Sequence, residues 1–469
     1  MEKNKYKKLA GNTLLFAIAN FGTKLISFLL VPLYTYTLTK AEYGIVDLIL
    51  TTISMLSPIF ALSIADAVFR YSMDENEVSS ALTNGLLITF LGSLVVLVIT
   101  PIFSLFKIPF PLLFSNSLVL SLFVGLLQNY ARAAGFEKSF AWSGVVSGLV
   151  ISVANIVFLV RFKMGVKGYM LSTILAYNCV VLYLFLSLKL WKKIDISSIS
   201  VKKIKKYLQY SIPLIPNAFS WWFTNDANRY FILFFVGASG NGLYAVANKL
   251  PSLLNMIYNI FSQAWQMSAV EEFESKDGKF YSSILNWSVY ILLVISCTLL
   301  AFIKIFMHYF VAPSYYDSWK FVSFLLLAAI FSNISAFLGT IFLAAKETKS
   351  ILSTTFLGMI TNLIFNLILI PIFGVNGAGI GSGLGFMIVS IVRLIIVNKR
   401  YVKISIDQDL LIPCISFVLI MIINFIVGSE LLKLNIIMNC GIVILTIIMF
   451  IVRIYKQFKV NRSHKSKTV

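Results

Sequence analysis

The chain has 469 residues, of which 59% are apolar, and a formal net charge of +20. Soluble domains average about 45–50% apolar residues, and no polar interval here is long enough to bury a core of its own. The basic residues are scattered between apolar runs and form no groove-sized patch, which excludes a nucleic-acid-binding surface. The composition therefore predicts an all-α polytopic membrane protein.

Residues 1–8 are basic and precede an apolar run of full span length at 12–38. A signal peptide has a shorter apolar region and a small-residue cleavage site, so we expect 12–38 to be the first retained helix. Thirteen more apolar runs follow, which predicts about fourteen transmembrane helices. The expected limits are 12–38, 44–69, 80–106, 111–131, 142–160, 168–188, 208–236, 243–268, 281–307, 319–344, 351–372, 376–397, 409–427 and 435–453.

Lysine and arginine residues concentrate in alternate connections, and segment 189–206 alone holds seven lysines. Because basic residues collect on the cytoplasmic side, we expect both termini and this segment in the cytoplasm. The connections on the other side are short, and the longest is 307–318. This disfavours a membrane enzyme, since such enzymes commonly carry a larger external loop or domain.

Two short motifs recur six spans apart. Glu42-Tyr43-Gly44 opens span two, as Gly240-Asn241-Gly242-Leu243-Tyr244 opens span eight, and the glycine-containing turn at 162–168 resembles that at 372–377. The copies have the same orientation, which predicts two six-helix lobes related by a pseudo-twofold axis along the membrane normal, with a cavity between them. The expected divisions are an N-lobe at 1–188, a basic cytoplasmic linker at 189–207, a C-lobe at 208–398, and two extra helices with a basic tail at 399–469.

Span seven carries polar side chains at membrane depth. Asn217, Trp221, Asn225 and Arg229 recur every four residues and would share one helical face, with Asp226 beside them. Pro213 and Pro216 predict a kink near one end of this span. One interpretation is that the stripe lines a polar cavity, and the alternative is that Asp226 and Arg229 pair within their own helix.

Span eight carries a longer polar stripe, with Lys249 at its border. Its members are Asn248, Ser252, Asn255, Asn259, Ser262 and Gln266. Amides can join neighbouring helices, but a stripe of this length exceeds what one contact needs, and we interpret it as a wetted cavity wall.

Other charged residues within spans are few. Lys24 lies in the middle of span one, and Asp66 and Arg70 lie four residues apart near the end of span two. Arg70 has the alternative of snorkelling to the surface, which is also our expectation for Lys304 and Arg393 near other span ends.

The cavity-facing set is net positive, which favours an anionic cargo such as a phosphate. The expected substrate-binding residues are Lys24, Arg70, Asn225, Arg229, Asn248, Lys249, Asn255 and Asn259, with Asp66 and Asp226 as candidates for ion coupling or charge pairing. No Walker motif, paired histidines, carboxylate dyad or nucleophile elbow is present, so we expect a transporter without cofactor, metal or enzymatic activity.

Several segments resemble the polysaccharide-transport branch (Wzx-type flippases) of the multidrug/oligosaccharidyl-lipid/polysaccharide (MOP) exporter superfamily. They are Pro32-Leu33-Tyr34, Glu42-Tyr43-Gly44, residues 65–70, Gly242-Leu243-Tyr244 with Asn248-Lys249, Ala344-Ala345-Lys346, Asn362, Asn366, Ile370-Pro371, and Gly374-Val375-Asn376-Gly377-Ala378. The resemblance covers essentially the whole chain, although each motif is short. Asp66 departs from the pattern, because a small residue is expected before the family's arginine.

The resemblance implies a flippase of the bacterial cytoplasmic membrane that moves undecaprenyl-diphosphate-linked oligosaccharide outward by alternating access. Its implied partners are this lipid-linked oligosaccharide, the bilayer, and the polymerase and chain-length machinery of a surface polysaccharide. The alternatives are a multidrug/cation antiporter, a peptidoglycan-precursor flippase of the same superfamily, and a membrane glycan polymerase or ligase.

Overall fold

The structure is a computed structural model that describes residues 26–74, 76–106, 108–273, 277–345, 347–427 and 431–465. All regular elements among these residues are helices, as the composition predicts. Eleven of the described helices are long and apolar enough to cross a membrane. The other predicted spans are span one, which lies largely outside the described residues, and spans seven and eight, which are broken or polar.

The chain forms two compact units, residues 1–245 and 246–469. The helices of the first unit are α1 (Val31–Thr37), α2 (Lys40–Phe60), α3 (Ile64–Tyr71), α4 (Val78–Val98), α5 (Thr100–Leu105), α6 (Pro111–Ala133), α7 (Glu137–Asn155), α8 (Gly165–Ser187), α9 (Val201–Ser211), α10 (Leu214–Asp226), α11 (Asn228–Phe235) and α12 (Ala238–Ala247), whose last two residues belong to the second unit. In this unit α8 packs on α6 and α7, α3 packs on α4 and α6, and α10 lies against α2.

The second unit contains α13 (Lys249–Glu271), α14 (Gly278–Ala301), α15 (Ile303–Phe310), α16 (Trp319–Ala344), α17 (Thr348–Phe373), α18 (Val375–Arg400), α19 (Leu411–Ile426) and α20 (Leu432–Lys465). Its centre is a layer in which α18 packs between α16 and α17, while α14 packs on α19 and α20. The predicted limits of the lobes and linker stay a prediction. The compact-unit boundary itself lies beyond the linker, so that α10 and α11 pack with the first unit.

The start of α2 shows why one of the recurring motifs has its sequence. Thr39 caps the helix by accepting a hydrogen bond from the Glu42 backbone N–H, and the Glu42 carboxylate accepts one from the Thr39 N–H. This reciprocal capping box satisfies two backbone donors that have no partner within the helix. Glu42 therefore has a structural role at a helix start that must form at a membrane boundary.

The two glycine-containing turns also share a backbone feature. Gly165 is the first residue of α8 with φ +54°, and Gly374 immediately precedes α18 with φ +58°, in the left-handed region that favours glycine. Both turns reverse the chain between neighbouring membrane helices. The recurrence seen in the sequence thus corresponds to a glycine with positive φ in each of the two turns.

Candidate functional site

A buried ion cluster joins span two to span seven within the first unit. The Arg229 Nε donates to Asp47 Oδ2 at 2.6 Å, and its Nη1 donates to Asp226 Oδ1 at 2.7 Å. Only 8% of the Arg229 surface is exposed. The guanidinium carbon also lies 5.5 Å from the centre of the Tyr244 ring, which adds a cation–π contact. The two carboxylates that neutralise Arg229 therefore both belong to the first unit.

A break in span seven supports this geometry. Helix α10 ends at Asp226 and α11 begins at Asn228, with a turn at Ala227 between the two charged side chains. The prolines interrupt the span nearer its start. Helix α9 ends at Ser211, and Pro213 immediately precedes the first residue of α10. Span seven is thus interrupted beside its prolines, as predicted, and again at the ion cluster.

Hydrogen bonds hold the broken span against α2. The Trp222 indole N–H donates to the Thr51 carbonyl at 3.1 Å, and the Tyr230 hydroxyl shares a hydrogen bond with the Thr52 hydroxyl. The rings of Trp222 and Tyr230 are in edge-to-face contact at 5.7 Å. These contacts lie on both sides of Ala227, so they fix the positions of Asp226 and Arg229 relative to Asp47.

The two recurring glycine motifs meet each other beside this cluster. The Asn241 side-chain amide donates to the Gly44 carbonyl at 2.8 Å. A Cβ atom on Gly44 would lie 2.1 Å from the Ala238 oxygen, and one on Gly242 would lie 2.0 Å from the Lys40 oxygen. Only glycine permits this approach of the two backbones. The start of α2 and helix α12 are therefore in direct backbone contact, one turn from Asp47.

The sequence predicted the Asp226–Arg229 pair as one of two alternatives, and the structure contains it. Asp47 lies near the start of span two, and its bond to Arg229 was not predicted. The sequence signal for this bond was weak. A carboxylate at membrane depth requires a partner, but the sequence does not specify which cation that is. The cluster has one cation and two carboxylates, so Arg229 offers no unpaired charge to a ligand in this structure.

Arg70 and Asp66 lie on the same short helix but do not pair. Asp66 is in the first turn of α3 and Arg70 in its last turn, and both are exposed. The cation that acts on the Asp66 carboxylate is Arg132 of α6, which packs over the Phe69 ring at 4.4 Å. These contacts therefore do not give Asp66 a charge-pairing role with Arg70.

The polar stripe of span eight lies on α13, where it is half-buried to exposed. Asn248 precedes the helix, Lys249 is its first residue, and Asn259 is exposed. The side-chain oxygen Oδ1 of Asn255 accepts a hydrogen bond from the Asn333 side-chain amide of α16 at 3.0 Å, which is a helix–helix contact. Within the described residues Lys249 takes part in no ion pair.

Two further predicted residues stand apart from the cluster. Asn225 is exposed, and its side-chain amide donates to the Trp221 carbonyl one turn earlier at 2.8 Å. Lys24 lies outside the described residues. The structure therefore brings together only Arg229 and Asp226 of the predicted set, and adds Asp47 and Tyr244.

Two basic residues expected to snorkel are instead buried. Lys304 is 1% exposed, and its ammonium donates to the Val427 carbonyl just beyond the end of α19 at 2.6 Å. Arg393 is 7% exposed and donates to the Thr354 and Thr355 hydroxyls and to the Ser335 carbonyl. The expectation was wrong because neighbouring helices offer backbone and hydroxyl acceptors that replace water.

Comparison with known proteins agrees with this architecture. The fold is similar to that of the lipid II flippase MurJ in an inward closed conformation, with a TM-score of 0.70 and 15% identity over 95% of this chain and 99% of that chain. It is also similar to an inward-facing multidrug resistance MATE family transporter of the MOP superfamily, with a TM-score of 0.67 and 14% identity over 82% of this chain and 98% of that chain. The chain therefore has a MurJ-like and MATE-like fold, and its eleven long apolar helices make it a multi-pass membrane protein.

Sequence comparison identifies the family of this chain. An uncharacterised membrane protein of Methanocaldococcus jannaschii is 24% identical to this chain over 89% of it and 90% of that protein. Residues 9–266 match the family described as polysaccharide biosynthesis protein, which is more than half of the chain. The chain belongs to this family.

Proposed function

We propose that this protein is a flippase that moves undecaprenyl-diphosphate-linked oligosaccharide across the bacterial cytoplasmic membrane for surface polysaccharide synthesis. The observation that carries the proposal is the match to a polysaccharide biosynthesis family in a chain with a MurJ-like and MATE-like fold. Inward-facing and outward-facing structures of MATE family transporters with this fold support alternating access, and the polysaccharide biosynthesis family supports a sugar-bearing cargo.

The diphosphate of this cargo requires cations that are not already paired. Arg229 is held by Asp47 and Asp226 in this conformation, so it is not the first candidate. Lys249 and Arg70 form no ion pair within the described part of the chain, and Lys24 adds a third predicted cation. We assign the phosphate-binding role to these three residues, with Asn248, Asn255, Asn259 and Asn225 as candidate partners for sugar hydroxyls.

The ion cluster has a different role in this proposal. Arg229 connects α2 with the broken span seven, so releasing or forming its bonds would accompany a movement of these helices. Asp47 and Asp226 are then the candidate groups for ion or proton coupling, in place of the predicted pair Asp66 and Asp226. This assignment accounts for a charge cluster that has no unpaired cation.

Deletion of the gene followed by lipid analysis tests the proposed cargo. We expect an undecaprenyl-diphosphate-linked oligosaccharide to accumulate in the cytoplasmic leaflet, and complementation to remove it. Accumulation of lipid II would favour the peptidoglycan-precursor flippase, a second candidate supported by the MurJ-like fold over 95% of the chain. Loss of drug resistance without a lipid intermediate would instead identify an antiporter, and glycan lengthening by the purified protein would identify a polymerase.

A substitution at Lys249 tests the proposed phosphate ligands. We expect Lys249→Gln to lower surface polysaccharide at least about tenfold, because a charge-assisted contact to phosphate contributes roughly 1.5–3 kcal/mol. Lys202→Gln, which neutralises an exposed lysine of α9, is the matched control and should leave export unchanged. The measurement is an immunoblot of surface polysaccharide, normalised to the amount of each variant in the membrane. Normal export in Lys249→Gln would remove this residue from the site.

A further inference from the structure

The second unit contains a two-part site that the proposed transport function does not use. It is built around the extended segment 402–407, which connects α18 to α19. The Ser405 N–H donates to the Ser282 hydroxyl at 2.9 Å, and the Asn286 amide donates to the Ser405 carbonyl at 2.9 Å. The Asn286 side-chain oxygen Oδ1 in turn accepts from the Asp407 N–H at 3.1 Å. These bonds fasten the segment along α14 and give the surrounding surface a fixed shape.

On one side of this segment lies an apolar cavity of about 460 Å³. It is lined mainly by aliphatic and aromatic side chains from α14, α16, α18 and α19, among them Leu285, Val289, Phe331, Leu338, Met387 and Leu394. Ile391, Ile406 and Leu411 also line it and are 48%, 60% and 61% exposed, so the cavity opens at the surface of the unit. Cavities with apolar walls do not hold water well, which indicates an apolar occupant.

On the other side lies a polar cleft of about 640 Å³. Its cations are Lys279 and Lys403, and both are exposed. The Asp277 carboxylate also lines the cleft, but it accepts hydrogen bonds from the Lys279 and Phe280 N–H groups and caps the start of α14. Neither lysine forms an ion pair with any residue that the structure describes. The cleft therefore presents two available positive charges beside hydroxyl groups.

The two parts adjoin along the chain and form one amphipathic surface. Ser405 lines the cleft and Ile406 lines the cavity, while on α14 Ser282 lines the cleft and Leu285 the cavity. Lys399 and Arg400, at the end of α18, add exposed basic residues close by in sequence. The pattern of an apolar cavity beside a cationic cleft matches a molecule with a hydrocarbon chain and an anionic head.

We propose that this surface binds an anionic phospholipid of the bilayer, with one acyl chain in the cavity and its phosphate on Lys279 and Lys403. A water-sized group takes about 30 Å³, so the cavity accommodates roughly fifteen carbon groups, about one acyl chain and far fewer than the roughly fifty-five carbons of eleven prenyl units. The acyl chain gains packing contacts in the cavity but no hydrophobic transfer energy, because it is already surrounded by lipid tails, so the two lysines provide the preference for an anionic headgroup. None of the predicted substrate residues that the structure describes lines either part.

Native mass spectrometry of the purified full-length protein tests the site. The probes are dioleoyl phosphatidylglycerol, dioleoyl phosphatidylethanolamine and undecaprenyl phosphate, each titrated in the same detergent. We expect phosphatidylglycerol to bind at least several-fold more tightly than phosphatidylethanolamine. The double variant Lys279→Gln/Lys403→Gln should lower phosphatidylglycerol binding about tenfold, and Leu394→Trp, which fills the cavity, should remove the tight adduct.

Two control variants separate this site from general effects of charge and bulk. Lys202→Gln/Lys205→Gln removes the same charge from exposed residues of α9, and Ile395→Trp adds the same bulk at an exposed neighbour of Leu394 that does not line the cavity. Both should bind phosphatidylglycerol as the unchanged protein does. Equal binding by all four variants would overturn the proposal. Competition by undecaprenyl phosphate at this site, lost in Leu394→Trp, would also overturn it, because the occupant would then be the transported class of lipid.

Discussion

At the residue scale, Arg229 shows how a charge is accommodated at membrane depth. A guanidinium has five N–H donors in a fixed fork, so it can bond two carboxylates on different helices at once. The side chain of Arg229 is 10% exposed, against 17% for Asp47 and 35% for Asp226. The more deeply buried bond is thus the long-range one, and it ties span seven to span two.

Removal of the arginine should therefore destabilise the protein. We expect Arg229→Ala to cost about 3–5 kcal/mol, because two partly buried carboxylates lose their common partner. The measurement is the temperature at which the purified protein loses its monodisperse elution profile. Lys320→Ala is the control, since its pair with Asp317 is 46% and 56% exposed and should contribute at most about 1 kcal/mol.

A triple substitution separates pairing from ligand binding at Arg229. In Asp47→Asn/Asp226→Asn/Arg229→Gln no buried charge is left, so we expect thermal stability to recover most of the loss seen in Arg229→Ala. Export should remain impaired if the charges couple movement to an ion. If the triple variant is as unstable as Arg229→Ala, the pairing account of this cluster is wrong.

Arg393 provides a second test at this scale. Its guanidinium reaches Thr354, Thr355 and Ser335 on two neighbouring helices, and no carboxylate among the described residues pairs with it. We expect Arg393→Lys to lower stability by about 1–3 kcal/mol, since an ammonium cannot reproduce the planar fork and leaves a hydroxyl unsatisfied. Thermal unfolding in detergent measures this, and unchanged stability would show that the fork is not required.

At the scale of elements, the contact between α2 and α12 depends on two glycines. Their backbones approach so closely that any side chain at either position meets a carbonyl oxygen. Close helix approach through small residues is a common way to pack helices in a bilayer. The reason is that helix–helix contacts there gain no hydrophobic free energy over contacts with lipid, so tight packing must supply the attraction. The contact also sets the distance between Asp47 and Arg229.

Alanine at Gly44 or Gly242 should therefore disturb both packing and the ion cluster. We expect each substitution to lower thermal stability and to reduce export severely, because the added Cβ must displace backbone rather than a flexible side chain. Gly125→Ala is the matched control, since a Cβ there has no neighbour within 4 Å and alanine favours a helix. The two measurements are thermal stability and surface polysaccharide. Wild-type values for Gly44→Ala would contradict this close packing.

At the scale of the whole molecule, the orientation in the membrane follows from the basic connections. The segment around α9 has exposed lysines, and burial over the Phe136 ring lowers the pKa of Lys193 in the same segment. Exposed Tyr309 of α15 lies in segment 307–318, the longest of the segments predicted to be external. The distribution of charge predicts that the first segment is cytoplasmic and the second external.

Labelling of single cysteines tests this orientation. In a variant without the four native cysteines, we expect Tyr309→Cys to react with a membrane-impermeant maleimide in intact cells and Lys202→Cys to react only after the membrane is opened. The native cysteines must be replaced because at least Cys414 is exposed. The reverse labelling pattern would invert the topology and with it the direction of transport.

Much of this architecture could be predicted from local sequence. The apolar runs determined that the chain is helical and crosses the membrane many times, because a backbone in hydrocarbon must satisfy its own hydrogen bonds. The i,i+3 spacing of Asp226 and Arg229 likewise made their pair one of two alternatives, since both residues lie on consecutive turns of one span. Each of these inferences depends only on neighbours within a few residues.

Only the tertiary structure decided which distant groups meet. Asp47 lies 182 residues from Arg229 in sequence, and nothing in either local sequence specifies the other as its partner. Lys304 and Arg393 have the same local signals as snorkelling residues, but acceptors on neighbouring helices make burial possible. The physical reason is that hydropathy and spacing act along one helix, whereas the pairing of a charge is settled by the acceptors that packing brings within hydrogen-bonding distance.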